Sequence, residues 1–124
     1  MFPVPIPDEF PAAFERFLNA GDLAAVVALY DDQASIRMPG KGKASGHAAV
    51  YEEMRQLIGA NASIANRLRD VIVHGDTALI IVDWTLDLSL PDGQIVRDTG
   101  TATNVLRSDG SGWKMIVANP YGTV

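Results

Sequence analysis

Cysteine is absent from the 124-residue chain, which excludes a disulfide framework, a thiolate nucleophile and a cysteine-based zinc site. Only two histidines, His47 and His74, are present. That is too few for a multi-histidine metal centre within one chain, and neither metal nor cofactor is expected. Basic charge is not in excess: 10 Lys and Arg stand against 15 Asp and Glu, a formal net charge of -5. Nucleic acid and anionic membrane surfaces need a basic stripe to neutralise phosphates, so neither is an expected partner. No apolar run reaches the length of a membrane span. Residues 1–7 lack the basic end and apolar stretch of a signal peptide, and their alternating prolines favour an extended arm. A reducing, cytoplasmic setting fits these absences. What is present, 48% hydrophobic and 20% charged residues, suits one domain over residues 8–124 that buries roughly two-thirds of its unfolded surface.

Phe10, Ala13, Phe14, Phe17 and Leu18 follow the spacing of one helical face, with Asp8 as a candidate N-cap and Pro11 tolerable in the first turn. Gly21 suits a left-handed helix end, and Asp22 can accept from the free N–H groups of a second helix carrying Leu23, Val26, Val27 and Tyr30. A brief strand over 34–38 leads to a turn at Pro39-Gly40-Lys41-Gly42-Lys43. A third helix follows over about 46–58, with Val50, Met54, Leu57 and Ile58 on one face. From Ser63 the period changes to two. Strands are predicted near 63–74, 77–90, 94–107 and 113–119, separated by Gly75-Asp76, Pro91-Asp92-Gly93 and Ser108-Asp109-Gly110-Ser111-Gly112. Hairpin connections of this kind predict an antiparallel sheet, and strands this long need twist or a bend, for which Gly100 is placed.

The ordered segments Ala20-Gly21-Asp22-Leu23, Leu29-Tyr30-Asp31-Asp32, Ser45-Gly46-His47, Gly75-Asp76-Thr77-Ala78, Asn104-Val105-Leu106-Arg107 and the run from Gly112 to Gly122 together resemble the NTF2-like superfamily. Within it they resemble the SnoaL-like and DUF4440-type proteins related to ketosteroid isomerase, over nearly all of residues 8–122. The resemblance implies a cone-shaped, cystatin-like α+β fold, with three N-terminal helices packed on a curved antiparallel sheet. It also implies a pocket at the wide end and, commonly, a homodimer through the outer sheet face. It implies no single chemistry, since the fold hosts isomerases, cyclases, hydrolases, dehydratases and non-catalytic modules. Carried over residue by residue, the isomerase's oxyanion tyrosine falls on Phe14, its base on Met38 and its second oxyanion acid on Asn104. Two of the three roles are lost, which argues against steroid isomerisation.

Strand parity then names the candidate polar groups. Gly100, Ala102, Asn104 and Leu106 share one face, read as inward, and Val117, Asn119 and Tyr121 are the matching set on the last strand. On the strand from Thr77 two readings exclude each other. Alternation puts Ala78, Ile80, Val82, Trp84 and Leu86 on the apolar face, whereas matching Gly75 to Ala78 against the isomerase sends Asp83 inward. The second is adopted, with an apolar surround expected to raise the Asp83 pKa; the competing reading is an outer ion pair with an arginine such as Arg97, leaving Trp84 as pocket wall. Asp83 and Asn104 are therefore the candidate catalytic residues, and Phe14, Tyr30, Met38, Met54, Trp84, Asn119 and Tyr121 the candidate ligand contacts. His47 at a helix start, exposed His74 and the arginines Arg55, Arg67 and Arg69 are read as surface groups. Three functions remain open. The first is a small-molecule binder or acid–base enzyme for an apolar ligand with a carbonyl or hydroxyl; the second is a non-catalytic dimeric scaffold. The third is an epoxide-hydrolase-like enzyme needing an Asp–Arg–Asp set, of which only Asp83 is a possible inward member. An open cavity favours the first, and one plugged by Phe14, Met38 and Met54 the second.

Overall fold

Alternating apolar and helical patterns fold as their periods predict. In the computed structural model, which describes residues 4–38, 40 and 42–124, helix α1 (Phe10–Asn19) buries Phe10, Ala13 and Leu18 on one face. A 3₁₀ turn at Pro7–Glu9 precedes it, so Glu9, not Asp8, occupies the N-cap position, without a side-chain cap bond. Pro11 sits in the first turn, where a missing N–H leaves no bond unmade. Gly21 takes φ +70°, letting the Asp22 N–H reach the Phe17 carbonyl at 3.0 Å. Asp22 then caps α2 (Leu23–Ala28), its carboxylate accepting from the Ala25 N–H at 3.1 Å.

α2 is shorter than the sequence predicts, and Tyr30 opens strand β1 (Tyr30–Met38) instead of closing a helix. β1 turns into β2 (Gly42–Ser45), pairing Ser35 with Ser45 through Met38 with Gly42, so the segment read as a simple turn contributes a strand. Pro39 and Lys41 of that turn lie outside the described residues, as do residues 1–3 of the arm. α3 is His47–Gly59. Strands β3 (Ser63–His74), β4 (Thr77–Ser89), β5 (Ile95–Ser108) and β6 (Trp113–Ala118) follow within a residue or so of their predicted bounds.

The sheet order is β2-β1-β6-β5-β4-β3. All neighbours are antiparallel except β1 and β6, which are parallel. The expectation of a purely antiparallel sheet is corrected here. Hairpin turns report the direction of strands adjacent in sequence, whereas β1 and β6 lie far apart in sequence and are joined by no turn that could report theirs. The sheet is curved and unclosed, with the helices over its concave face. α1 is pinned to the edge strand by Asn19, whose side chain donates to the Ile64 carbonyl at 2.9 Å and accepts from the Ile64 N–H at 2.8 Å, blunting an otherwise open edge. Val4, fully buried, joins the core, and its carbonyl accepts from the Trp113 N–H at 2.9 Å. Among the described residues no helix is long and apolar enough to cross a membrane.

Candidate functional site

The concave sheet face and the helices leave a cavity of about 540 Å³, within the range of small-molecule sites. Its wall is mostly apolar. α1 supplies Phe10, Phe14 and Leu18; α3 supplies Met54 and Leu57; β4 supplies Ile80, Val82, Trp84 and Leu86. Tyr30, Met38, Asn104 and Tyr121 also line it. Phe14, Met38 and Met54 thus stand around the space without filling it.

Asn104 reaches the cavity because β5 keeps strict alternation opposite β4, pairing Ala102 with Val82 and Asn104 with Ile80. Its Oδ1 accepts from the Asn119 N–H at 2.8 Å. Its Nδ2 has no hydrogen-bond partner among the described residues and, not being sealed from the cavity, is open to a ligand. Tyr30 is buried at 4% exposure and packs edge-on to Phe14, ring centroids 6.4 Å apart. Burial, and then the Glu53 charge, push its phenol well above the usual tyrosine range, so it is a proton-bearing donor at neutral pH. No described residue hydrogen-bonds that hydroxyl. Register places Tyr30 opposite Met115 and Met115 opposite Leu106, one inward step along β5 from Asn104. Two donors therefore occupy neighbouring levels of an apolar cavity.

Trp84 forms part of the wall and is fixed on three sides. Its Nε1–H donates to the Pro120 carbonyl at 2.7 Å, its ring meets Tyr121 edge-on at 5.2 Å, and its other face lies against Gly100. Gly100, read from sequence as a bend, is needed for this close approach. The Tyr121 hydroxyl donates to Asp98, and that bond pushes the phenol up to about 12.

Two expectations are overturned. Asp83 points away from the cavity, because β4 pairs with β5 without interruption from Thr77 to Ser89 and no bulge shifts its parity. The bulge lies in β3, between Leu68 and Asp70, and brings both Arg67 and Arg69 to Asp83. The carboxylate accepts from Arg67 at 2.6 Å, from Arg69 at 2.7 and 3.1 Å, and from the Thr101 hydroxyl at 2.7 Å. Thr101 first and Arg69 next hold its pKa below the usual carboxylate range, the reverse of the expected rise. Arg97 pairs instead with Asp87, at 2.8 Å. A hollow of about 440 Å³ surrounds Asp83 on the outer face, and these bonds already occupy the Asp83 carboxylate.

Asn119 is the second. β6 shifts register between its pairings with Val105 and Leu106, so Met115 and Ala118 line the cavity while Val117 is 39% exposed on the outside. The Asn119 side chain is spent on structure. It donates to Thr103 Oγ1 and the Gly122 carbonyl, both at 2.9 Å, and accepts from Arg37 at 3.0 Å. His47 bonds the Tyr30 carbonyl oxygen at 2.9 Å and does not line the cavity.

Sequence reading missed two cavity carboxylates. Asp98 has the parity of Gly100, Ala102 and Asn104, so extending that series one step would have found it. Glu53 falls at helical spacing with Val50, Met54 and Leu57.

Comparison with known proteins agrees with this fold. No curated protein matches the chain. Among solved structures, a candidate calcium/calmodulin-dependent protein kinase type II association domain from Thiobacillus denitrificans is 26% identical, with 95% of each chain covered and a TM-score of 0.77. A candidate dehydratase of the NTF2-like family from Streptomyces avermitilis is 25% identical over 89% of each chain, TM-score 0.75. An NTF2-like protein with a cystatin-like fold from Novosphingobium aromaticivorans is 20% identical, covering 90% of this chain and 75% of that one, TM-score 0.74. The SnoaL-like domain matches residues 12–113. This chain is a member of the SnoaL-like family, built on the NTF2-like, cystatin-like α+β fold.

Proposed function

We propose that the protein binds a small apolar molecule bearing a carbonyl or hydroxyl, held by the Asn104 amide, with the Tyr30 phenol as a second hydrogen-bond donor. The observation that carries this reading is the Asn104 Nδ2, without a partner among the described residues, in a mostly apolar cavity of about 540 Å³. An amide donor open to the cavity and without a partner among the described residues is available to a ligand acceptor. Steroid isomerisation is not part of the proposal, since Met38 and Phe14 offer neither base nor phenol where that chemistry needs them.

Thermal-shift measurements with apolar ketones test it. A bound ketone is expected to raise the melting temperature in a concentration-dependent way, and Asn104→Leu is expected to abolish that gain while leaving a cooperative transition. An undiminished gain in Asn104→Leu removes Asn104 from the site.

A homodimer through the outer sheet face belongs to the same proposal. Ile72, Leu79, Val105 and Val117 pair in one row across β3, β4, β5 and β6 on that face, and Ile72 and Val117 are 55% and 39% exposed. Such a row is an expected site for a self-complementary two-fold contact. Val117→Lys is expected to convert dimer to monomer in sedimentation velocity; a monomeric unaltered protein would refute the interface.

A further inference from the structure

The cavity also contains a carboxylate that the Asn104 reading leaves unused. Glu53 lies on the inner face of α3 beside fully buried Val50 and nearly buried Met54, and it lines the cavity half-buried. Its neighbour Glu52, on the outer side of the helix, is engaged by Arg55 at 2.5 Å and Gln56 at 3.0 Å. Among the described residues Glu53 has no hydrogen bond or ion pair. Among the described residues, the arginines that line the cavity are bonded elsewhere: Arg37 to Asn119, Gly122 and the Val124 carbonyl, and Arg97 to Asp87. A carboxylate on the cavity wall without a partner among the described residues presents its acceptor oxygens to whatever enters, and a cationic donor pairs with it most strongly. The Glu53 charge reaches the Tyr30 phenol, whose oxygen offers a further acceptor close by.

We propose that Glu53 forms an acceptor subsite that selects ligands carrying a protonated amine on an apolar body, the amine pairing with Glu53 while the carbonyl or hydroxyl meets Asn104. The subsite deepens the binding reading above and rests on it for the ligand's second handle. It disfavours anionic groups at this subsite by the same charge, because a carboxylate seated beside Glu53 would set two like charges together.

Three probes on one skeleton isolate the charge: 2-aminotetralin, 2-tetralone and tetralin-2-carboxylic acid, titrated calorimetrically at pH 7. The amine is expected to bind at least about tenfold more tightly than the acid, a difference of about 1.4 kcal/mol. Glu53→Gln is expected to bring that ratio to within about twofold, and Glu53→Asp to keep it. Asp98→Asn, which removes the other carboxylate on the wall, is expected to leave the ratio unchanged. An amine that binds no better than the acid overturns the subsite, as does a preference that survives Glu53→Gln or vanishes in Asp98→Asn. Ketone binding without amine preference overturns the subsite alone. Glu53-dependent amine binding without ketone binding overturns the carbonyl reading alone, and absence of binding by all three overturns both.

Discussion

Phe10→Ala is expected to lower stability by roughly 3–5 kcal/mol, the range for deleting a buried aromatic ring. Phe10 is the first residue of α1 and only 2% exposed. It belongs to the buried core and also lines the cavity. Removing it loses the transfer free energy of the ring and extends the existing void, which close-packed surroundings refill only in part. Against a total stability of about 5–15 kcal/mol for a domain of this kind, that loss is a large fraction. Urea unfolding should show a lower midpoint at an unchanged slope. Ile6, a few residues earlier and 48% exposed, is the control, with Ile6→Ala expected within about 0.5 kcal/mol of the parent. A Phe10→Ala cost below about 1 kcal/mol would mean that the cavity wall collapses freely and is not a rigid container.

Gly100→Ala comes next, with an expected loss of roughly 1–3 kcal/mol from overpacking. Gly100 is paired with Trp84 across β5 and β4, and an added Cβ would lie 2.5 Å from Cζ2 and 2.8 Å from Cε2 of the indole. The backbone at Gly100 is not in the left-handed region, so space and not φ is the constraint. The indole cannot simply tilt, because the bond to the Pro120 carbonyl and the edge contact with Tyr121 hold it. The substitution must therefore break one of these or spread the strands. In a Trp113→Phe background, Trp84 emission reports the ring alone, and a red shift with a lowered melting temperature is expected. Emission and melting temperature both unchanged would show that the wall around Trp84 yields.

Each of these residues was legible to a different degree. Helical spacing marks Phe10, Phe14, Leu18 and Met54 as inward, and turn chemistry at Gly75-Asp76 and Pro91-Asp92-Gly93 bounds the long strands, because both signals are local. Asn104 was found by parity. Parity fails where a strand is amphipathic on neither side: β4 carries Leu79 and Ile81 on one face and Ile80 and Val82 on the other, so hydrophobicity does not choose between Asp83 and Trp84. It fails again at β6, where the register shift that turns Val117 outward has no glycine or proline to announce it.

From the chain alone followed most element types and their order, because periodicity, caps and turns act over a few residues, while the cone and its family followed from the resemblance carried by the ordered segments. Tertiary structure decided the parallel seating of β1 on β6, the outward pairing of Asp83 with Arg67 and Arg69, and the structural use of Asn119. It also brought the Asn104 Nδ2 and the Glu53 carboxylate, neither with a hydrogen-bond partner among the described residues, into one cavity. Those outcomes depend on groups far apart in sequence competing for the same partner, and only the packed structure brings the competitors within reach.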